Sequence, residues 1–191
     1  MKINTWLQNY IEEQKKVMDT VPIDKVAEII EKFVDANKNK KQIFVFGNGG
    51  SASNASHFIT DLAKGASEVS KNQFKCFSLN ECTSLITAIA NDSAYENIFV
   101  KQLENFANPG DLVLTMSVSG SSPNLVKAIE WANEKDLYTI ALVGGKLGTI
   151  SHMADKVVII DSTHYGVVED LHMMICHMIA YAFIENPGLT K

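Results

Sequence analysis

Apolar residues recur every three to four positions over the first forty residues and then regroup into short blocks. Ile3, Trp6, Leu7, Tyr10, Ile11, Val17 and Met18 form one stripe of a helix, with Glu12, Glu13, Lys15 and Lys16 outside it. Pro22 opens a second helix at the favoured first-turn position, carrying Val26, Ile29, Ile30 and Phe33. Lys38-Asn39-Lys40-Lys41 closes it as a solvated end. The blocks that follow are Ile43–Phe46, Cys76–Leu79, Leu112–Met116, Thr139–Val143 and Val157–Ile160. They lack period-two alternation, as strands buried on both faces do, and helical stretches separate them. The pattern predicts an α/β fold built on a parallel sheet with right-handed crossovers. A last helix, about Val167 to Ile184, is apolar nearly all round and needs cover on several sides.

Composition narrows the class. A chain of 191 residues suits one domain, with residues 1–38 as a helical pair and 42–191 as the α/β core. Its 46% hydrophobic and 20% charged residues exclude disorder, a collagen-like repeat and a disulfide-stapled miniprotein. No run of 18 apolar residues occurs, so no membrane span is expected. The segment Met1-Lys2-Ile3-Asn4-Thr5-Trp6 lacks signal-peptide features, and Cys76, Cys82 and Cys176 form no C-x-x-C pair. A reduced, cytoplasmic protein with small buried cysteines is the expectation. A net charge of −5 argues against nucleic acid as a partner but leaves room for a small anionic ligand.

Two turns at strand ends carry the chemistry. The first, Gly47-Asn48-Gly49-Gly50-Ser51-Ala52-Ser53, contains G-x-G-x-x-A. A dinucleotide site also needs an acidic residue about twenty positions on, whereas Asn80 and Glu81 come roughly thirty on. No nucleotide cofactor is expected. The second, Ser117-Val118-Ser119-Gly120-Ser121-Ser122-Pro123-Asn124, sets four hydroxyls around one glycine before a helix start. Without G-K-[ST] it is no nucleotide-triphosphate loop; helix-start N–H groups and hydroxyls suit a monophosphate. Serine-rich turns also serve simply as helix caps.

Together the two turns resemble the sugar isomerase (SIS) family. Phe46-Gly47-Asn48-Gly49-Gly50-Ser51-Ala52, His57-Phe58, Asn91-Asp92, the S-x-S-G-x-S pattern from Ser117 to Ser122 and the His-bearing last helix resemble its phosphoheptose isomerase branch. The resemblance implies a five-stranded parallel sheet flanked by helices, assembled as a homotetramer with active sites between subunits. It implies isomerisation of sedoheptulose 7-phosphate, for surface-polysaccharide heptose. Asn48, Gly49, Gly50, Ser51, Asp92, Ser117, Val118, Ser119 and Ser122 then fall at substrate-contacting positions. Asp61, Glu169 and His177 fall at catalytic ones.

This chain departs from the family at four of these places. Asp61 stands for a glutamate, Glu169 for a glutamine, Gly166 for an aspartate and Val118 for a threonine. His57, Asp61, Glu169 and His177 have ligand types suited to Zn²⁺, with Glu169 and His177 about 80° and 12 Å apart on a helix. The extra carboxylate suggests that the base role is shared with, or moved to, Glu169. His172 reads as structural or interfacial, and His152 and His164 carry no signal of their own. Two further readings stay open: an isomerase of another sugar phosphate, and a non-catalytic SIS tetramer that binds a protein such as a replication initiator.

Overall fold

A computed structural model describes residues 2–191. Helices α1 (Ile3–Met18) and α2 (Ile23–Lys38) precede strand β1 (Gln42–Gly47) and α3 (Gly50–Thr60). A π-helical segment, Asp61–Ala66, continues α3 into α4 (Ser67–Val69), and β2 (Lys75–Ser78) follows. The rest runs α5 (Thr83–Asp92), α6 (Val100–Phe106), β3 (Leu112–Ser117), α7 (Pro123–Glu134), β4 (Tyr138–Gly144), β5 (Lys156–Ile160) and α8 (Tyr165–Glu185). The five strands form one parallel sheet in the order β2-β1-β3-β4-β5. The predicted strands and architecture match, with β2 set one residue earlier and α8 opening at Tyr165.

Period-two geometry splits β1 between two cores. Ile43 and Val45 join Phe33, Phe58, Ile175 and Phe183 on the side of α2, α3 and α8. Phe44 and Phe46 join Phe99, Leu103 and Ile129 on the side of α6 and α7. Phe46 stacks on Phe99 with centroids 4.7 Å apart. Each such side chain taken fully from water contributes about 1.5–3 kcal/mol. The apolar α8 spends its hydrophobicity here. It is the helix, among the described residues, that is long and apolar enough to cross a membrane, yet nine of its residues are buried in the fold.

One expectation, that a single subunit does not cover the α1 stripe, is met, and one is corrected. The α1 stripe exists, but no residue of α1 is buried, and Ile3, Trp6, Leu7, Ile11 and Met18 are exposed. Cys76 and Cys176 are buried as expected, whereas Cys82 sits exposed just ahead of α5.

The strand order positions the site. β1 pairs with β2 on one side and β3 on the other, so successive crossovers diverge between β1 and β3. Gly47 pairs with Met116, so both unusual turns leave the sheet side by side at this switch point. Ligands of open parallel sheets bind at such places.

Candidate active site

Gly47 ends β1 because nothing larger fits. An added Cβ would lie 2.6 Å from Ser51 Cβ and 2.9 Å from the Met116 carbonyl oxygen. Asn80 holds this residue from both sides: its Oδ1 accepts from Gly47 N at 3.2 Å and its Nδ2 donates to Gly47 O at 2.9 Å. Gly49 takes φ +56°, the left-handed region that favours glycine, and the chain then enters α3.

The second turn is tied to the first by a reciprocal amide pair. Asn48 Nδ2 donates to Asn124 Oδ1 at 2.9 Å, and Asn124 Nδ2 donates to Asn48 Oδ1 at 2.8 Å. The Tyr95 hydroxyl also donates to Asn48 Oδ1, at 3.2 Å. Within the turn, Ser117 Oγ accepts from Gly120 N at 3.0 Å, and Ser122 leads into Pro123 at the start of α7. Between the turns lies a cavity of about 390 Å³, lined by Asn48, Gly49, Gly50, Ser51, Met116, Ser117, Val118, Ser119, Ser122, Tyr165 and Glu169. The expected substrate-contacting residues converge here with one exception. Asp92 is exposed at the end of α5 and lines a different hollow with Lys101 and Glu104. Tyr165 joins the wall unanticipated.

The expected acid–base residues His57, Asp61 and His177 gather further along α3 and α8. Asp61 Oδ2 lies 3.7 Å from His57 Nε2 and 3.6 Å from His177 Nε2, and the two Nε2 atoms are 3.5 Å apart. Asp61 is the first residue of the π-helical segment, a rare helical form that is frequent at functional sites. Its Oδ2 is buried without a hydrogen bond. Burying such an atom unpaired costs free energy unless a partner satisfies it. Ligands held 2.0–2.2 Å from one tetrahedral ion stand about 3.3–3.6 Å from each other. The three donor atoms therefore fit a divalent metal such as Zn²⁺.

Glu169 is not brought into this group. Its carboxylate rests against Gly50, where an added Cβ would overlap it. His172 is buried on α8 with neither ring nitrogen hydrogen-bonded, consistent with a structural place. Burial lowers its pKa to about 4, against a smaller opposing pull from the Val143 backbone.

Comparison with known proteins matches residues 5–144 to the SIS domain. A probable phosphoheptose isomerase of Thermoplasma volcanium is 35% identical over 91% of this chain and 88% of its own. A phosphoheptose isomerase of Geotalea daltonii is 35% identical over 91% of each chain. The solved phosphoheptose isomerase of Francisella tularensis superposes with a TM-score of 0.85 at 26% identity, covering 96% of this chain and 97% of that one. The cradle at the switch point, the His–Asp–His group and these likenesses agree: the chain belongs to the SIS domain family, within its phosphoheptose isomerase branch of isomerases.

Proposed function

We propose that the chain interconverts sedoheptulose 7-phosphate and D-glycero-D-manno-heptose 7-phosphate, supplying heptose for surface polysaccharide. The spacing between the serine cradle and the His57–Asp61–His177 group carries this reading. α3 and α8 run side by side from the cradle, since Gly50 meets Glu169, Asp61 meets His177 and Gly65 meets Ile184. From Glu169, on the cavity wall, to His177 the helix advances about 12 Å. The side chains of the cluster lean back towards the cradle, because helical side chains tilt towards the N-terminus. An extended chain advances about 1.2 Å per bond, so the path from phosphorus to C1 of a heptose 7-phosphate spans about 9–10 Å. With its phosphate among Ser117, Ser119 and Ser122, a seven-carbon sugar presents its first two carbons to the cluster. A shorter sugar phosphate stops short of it.

The reaction moves a proton between C1 and C2 through an enediol and another between the two oxygens. Asp61 is assigned as the base at carbon, a role worth about 10²–10⁴ in rate. His177 is assigned the proton transfer between oxygens. Zn²⁺ held by His57, Asp61 and His177 would polarise the sugar's carbonyl oxygen. Glu169 lines the cradle end of the cavity. The assembly is proposed as a cytoplasmic homotetramer with sites between subunits. The uncovered α1 stripe, Asp92 lying outside the cavity and three free cysteines support this.

The test is turnover of five-, six- and seven-carbon sugar phosphates, with and without added zinc. The seven-carbon substrate should lead in kcat/KM by at least about 10²-fold. Equal turnover of a shorter one would shift the assignment to another sugar phosphate, a reading that the departures at Asp61, Val118, Gly166 and Glu169 favour. No turnover of any would leave a protein-binding scaffold, against which the His57–Asp61–His177 group argues.

A further inference from the structure

All seventeen basic side chains of this chain are lysines; it contains no arginine. Bidentate guanidinium recognition of phosphate is therefore absent, and a permanently charged side-chain cation at the cradle has to be a lysine. The cavity wall itself carries no cation and one carboxylate, Glu169. A phosphate dianion entering it meets neutral donors and a negative charge, inside a chain of net charge −5. Lys15, Lys64, Lys101, Lys127 and Lys156 are each paired to a glutamate. Lys146 has no carboxylate partner among the described residues. Its ammonium instead stands over the Tyr165 ring, 5.7 Å from the centroid, and Tyr165 lines the cavity.

The loop that carries Lys146 is fastened to the cradle. Gly148 lies directly against Ser119 O and Ser121 Oγ, and Ile150 N donates to Gly120 O at 2.9 Å. Gly144 packs under Val118 O, where an added Cβ would sit 2.6 Å away. Leu147, the residue after Lys146, is exposed yet holds φ +51°, a conformation disfavoured for a leucine. The loop thus keeps a costly shape that presents its lysine beside the serine turn.

We propose that Lys146 is the substrate-recognition cation of this site, parked on the Tyr165 ring and moving onto the phosphate dianion when the cradle fills. The inference rests on the reading of the cradle as a phosphate site. A lysine suits the task because its charge sits on a flexible stem, while the aromatic face holds it near the cavity without neutralising it.

The experiment measures inhibition by inorganic phosphate, with KM and kcat, for Lys146→Gln, Lys146→Arg and Ser119→Ala across a range of salt. Lys146 is exposed, so its variants keep the parent's thermal transition. Lys146→Gln should raise Ki for phosphate and KM at least tenfold, flatten the salt dependence and leave kcat within about twofold. Lys146→Arg should restore most of the loss. If Lys146→Gln binds phosphate like the parent while Ser119→Ala does not, the cradle reading stands and the Lys146 assignment falls. If neither variant changes Ki, the phosphate lies elsewhere and both fall.

Discussion

Gly50→Ala moves a carboxylate without removing it. A Cβ at Gly50 would place Glu169 Cδ and Oε1 2.6 Å away, against an ordinary contact of 3.4 Å or more. The carboxylate must therefore retreat by about 1 Å, and it can, because it is the end of a flexible side chain. The backbone of α8 need not follow. Gly50 begins α3 without a positive φ, so alanine also contributes about 0.4–1 kcal/mol by restricting the unfolded chain. In a protein of this size that shifts Tm by no more than about 2–4 °C, upwards. Gly47→Ala supplies the contrast. Its new Cβ meets a backbone carbonyl and the root of Ser51, neither of which yields, and overpacking of that kind costs about 1–3 kcal/mol.

The kinetic consequence separates two roles for Glu169. If it is wall, the displaced carboxylate narrows the cradle end and brings negative charge to the phosphate. KM then rises at least about tenfold with kcat within threefold, because the Asp61 cluster about 12 Å along the helices is untouched. Glu169→Gln, alone or combined with Gly50→Ala, should keep turnover and ease the KM penalty. Steady-state kinetics beside thermal melts of the single and double variants provide the assay. A hundredfold loss of kcat at unchanged KM in Gly50→Ala or Glu169→Gln would place Glu169 in the chemical step and refute Asp61 as sole base.

Asp61→Asn should cost at least about 10²-fold in kcat with KM nearly constant, and should abolish zinc binding measured by metal content after dialysis. Zinc retained at parental stoichiometry would exclude the His–Asp–His group as its holder. His172 is neutral in the fold down to about pH 4 but titrates near 6.5 when unfolded, so the unfolded state binds the extra proton as pH falls between them. Stability should drop by up to about 3 kcal/mol over that window, and His172→Leu should remove this component of the Tm–pH curve; identical slopes would exclude it.

How much the sequence disclosed follows from the range of the forces involved. Strands and helices were legible because burial on one or two faces leaves a local period. The turns at Gly47 and Ser117 were legible because glycine and serine have few other reasons to cluster at strand ends. That they share one cavity depends on β1 lying beside β3, which is topology and has no local signature. The Asn48–Asn124 clamp joins residues far apart in the chain, and the π-helical turn at Asp61 follows no composition rule. Helix geometry alone already separated Glu169 from His177. Only the register of α3 against α8 shows that His177 meets Asp61 and that Glu169 meets Gly50. The α1 stripe was legible, and the fold of the single chain leaves it exposed.

Two of the four departures from the family pattern, Gly166 and Glu169, fit one rearrangement at the start of α8. Where the resemblance expects an aspartate, Gly166 leaves a gap in which an added Cβ would stand 2.7 Å from the Tyr10 hydroxyl. That hydroxyl donates to Asp170 Oδ2 at 3.3 Å, and the ring meets His164 edge-on at 5.4 Å. A side chain at 166 would press on the Tyr10 hydroxyl, which helps to seat the otherwise exposed α1 on α8. The displaced acid has a counterpart three residues on, at Glu169, about 4.5 Å further along the helix and on the cavity wall. Two carboxylates are expected from the resemblance at positions 61 and 166; two are present, at 61 and 169. The charge is kept and its place has moved, to the end of the cavity proposed to hold the phosphate rather than to the cluster proposed to handle the proton. Recognition, more than chemistry, is therefore where this chain should differ from its relatives.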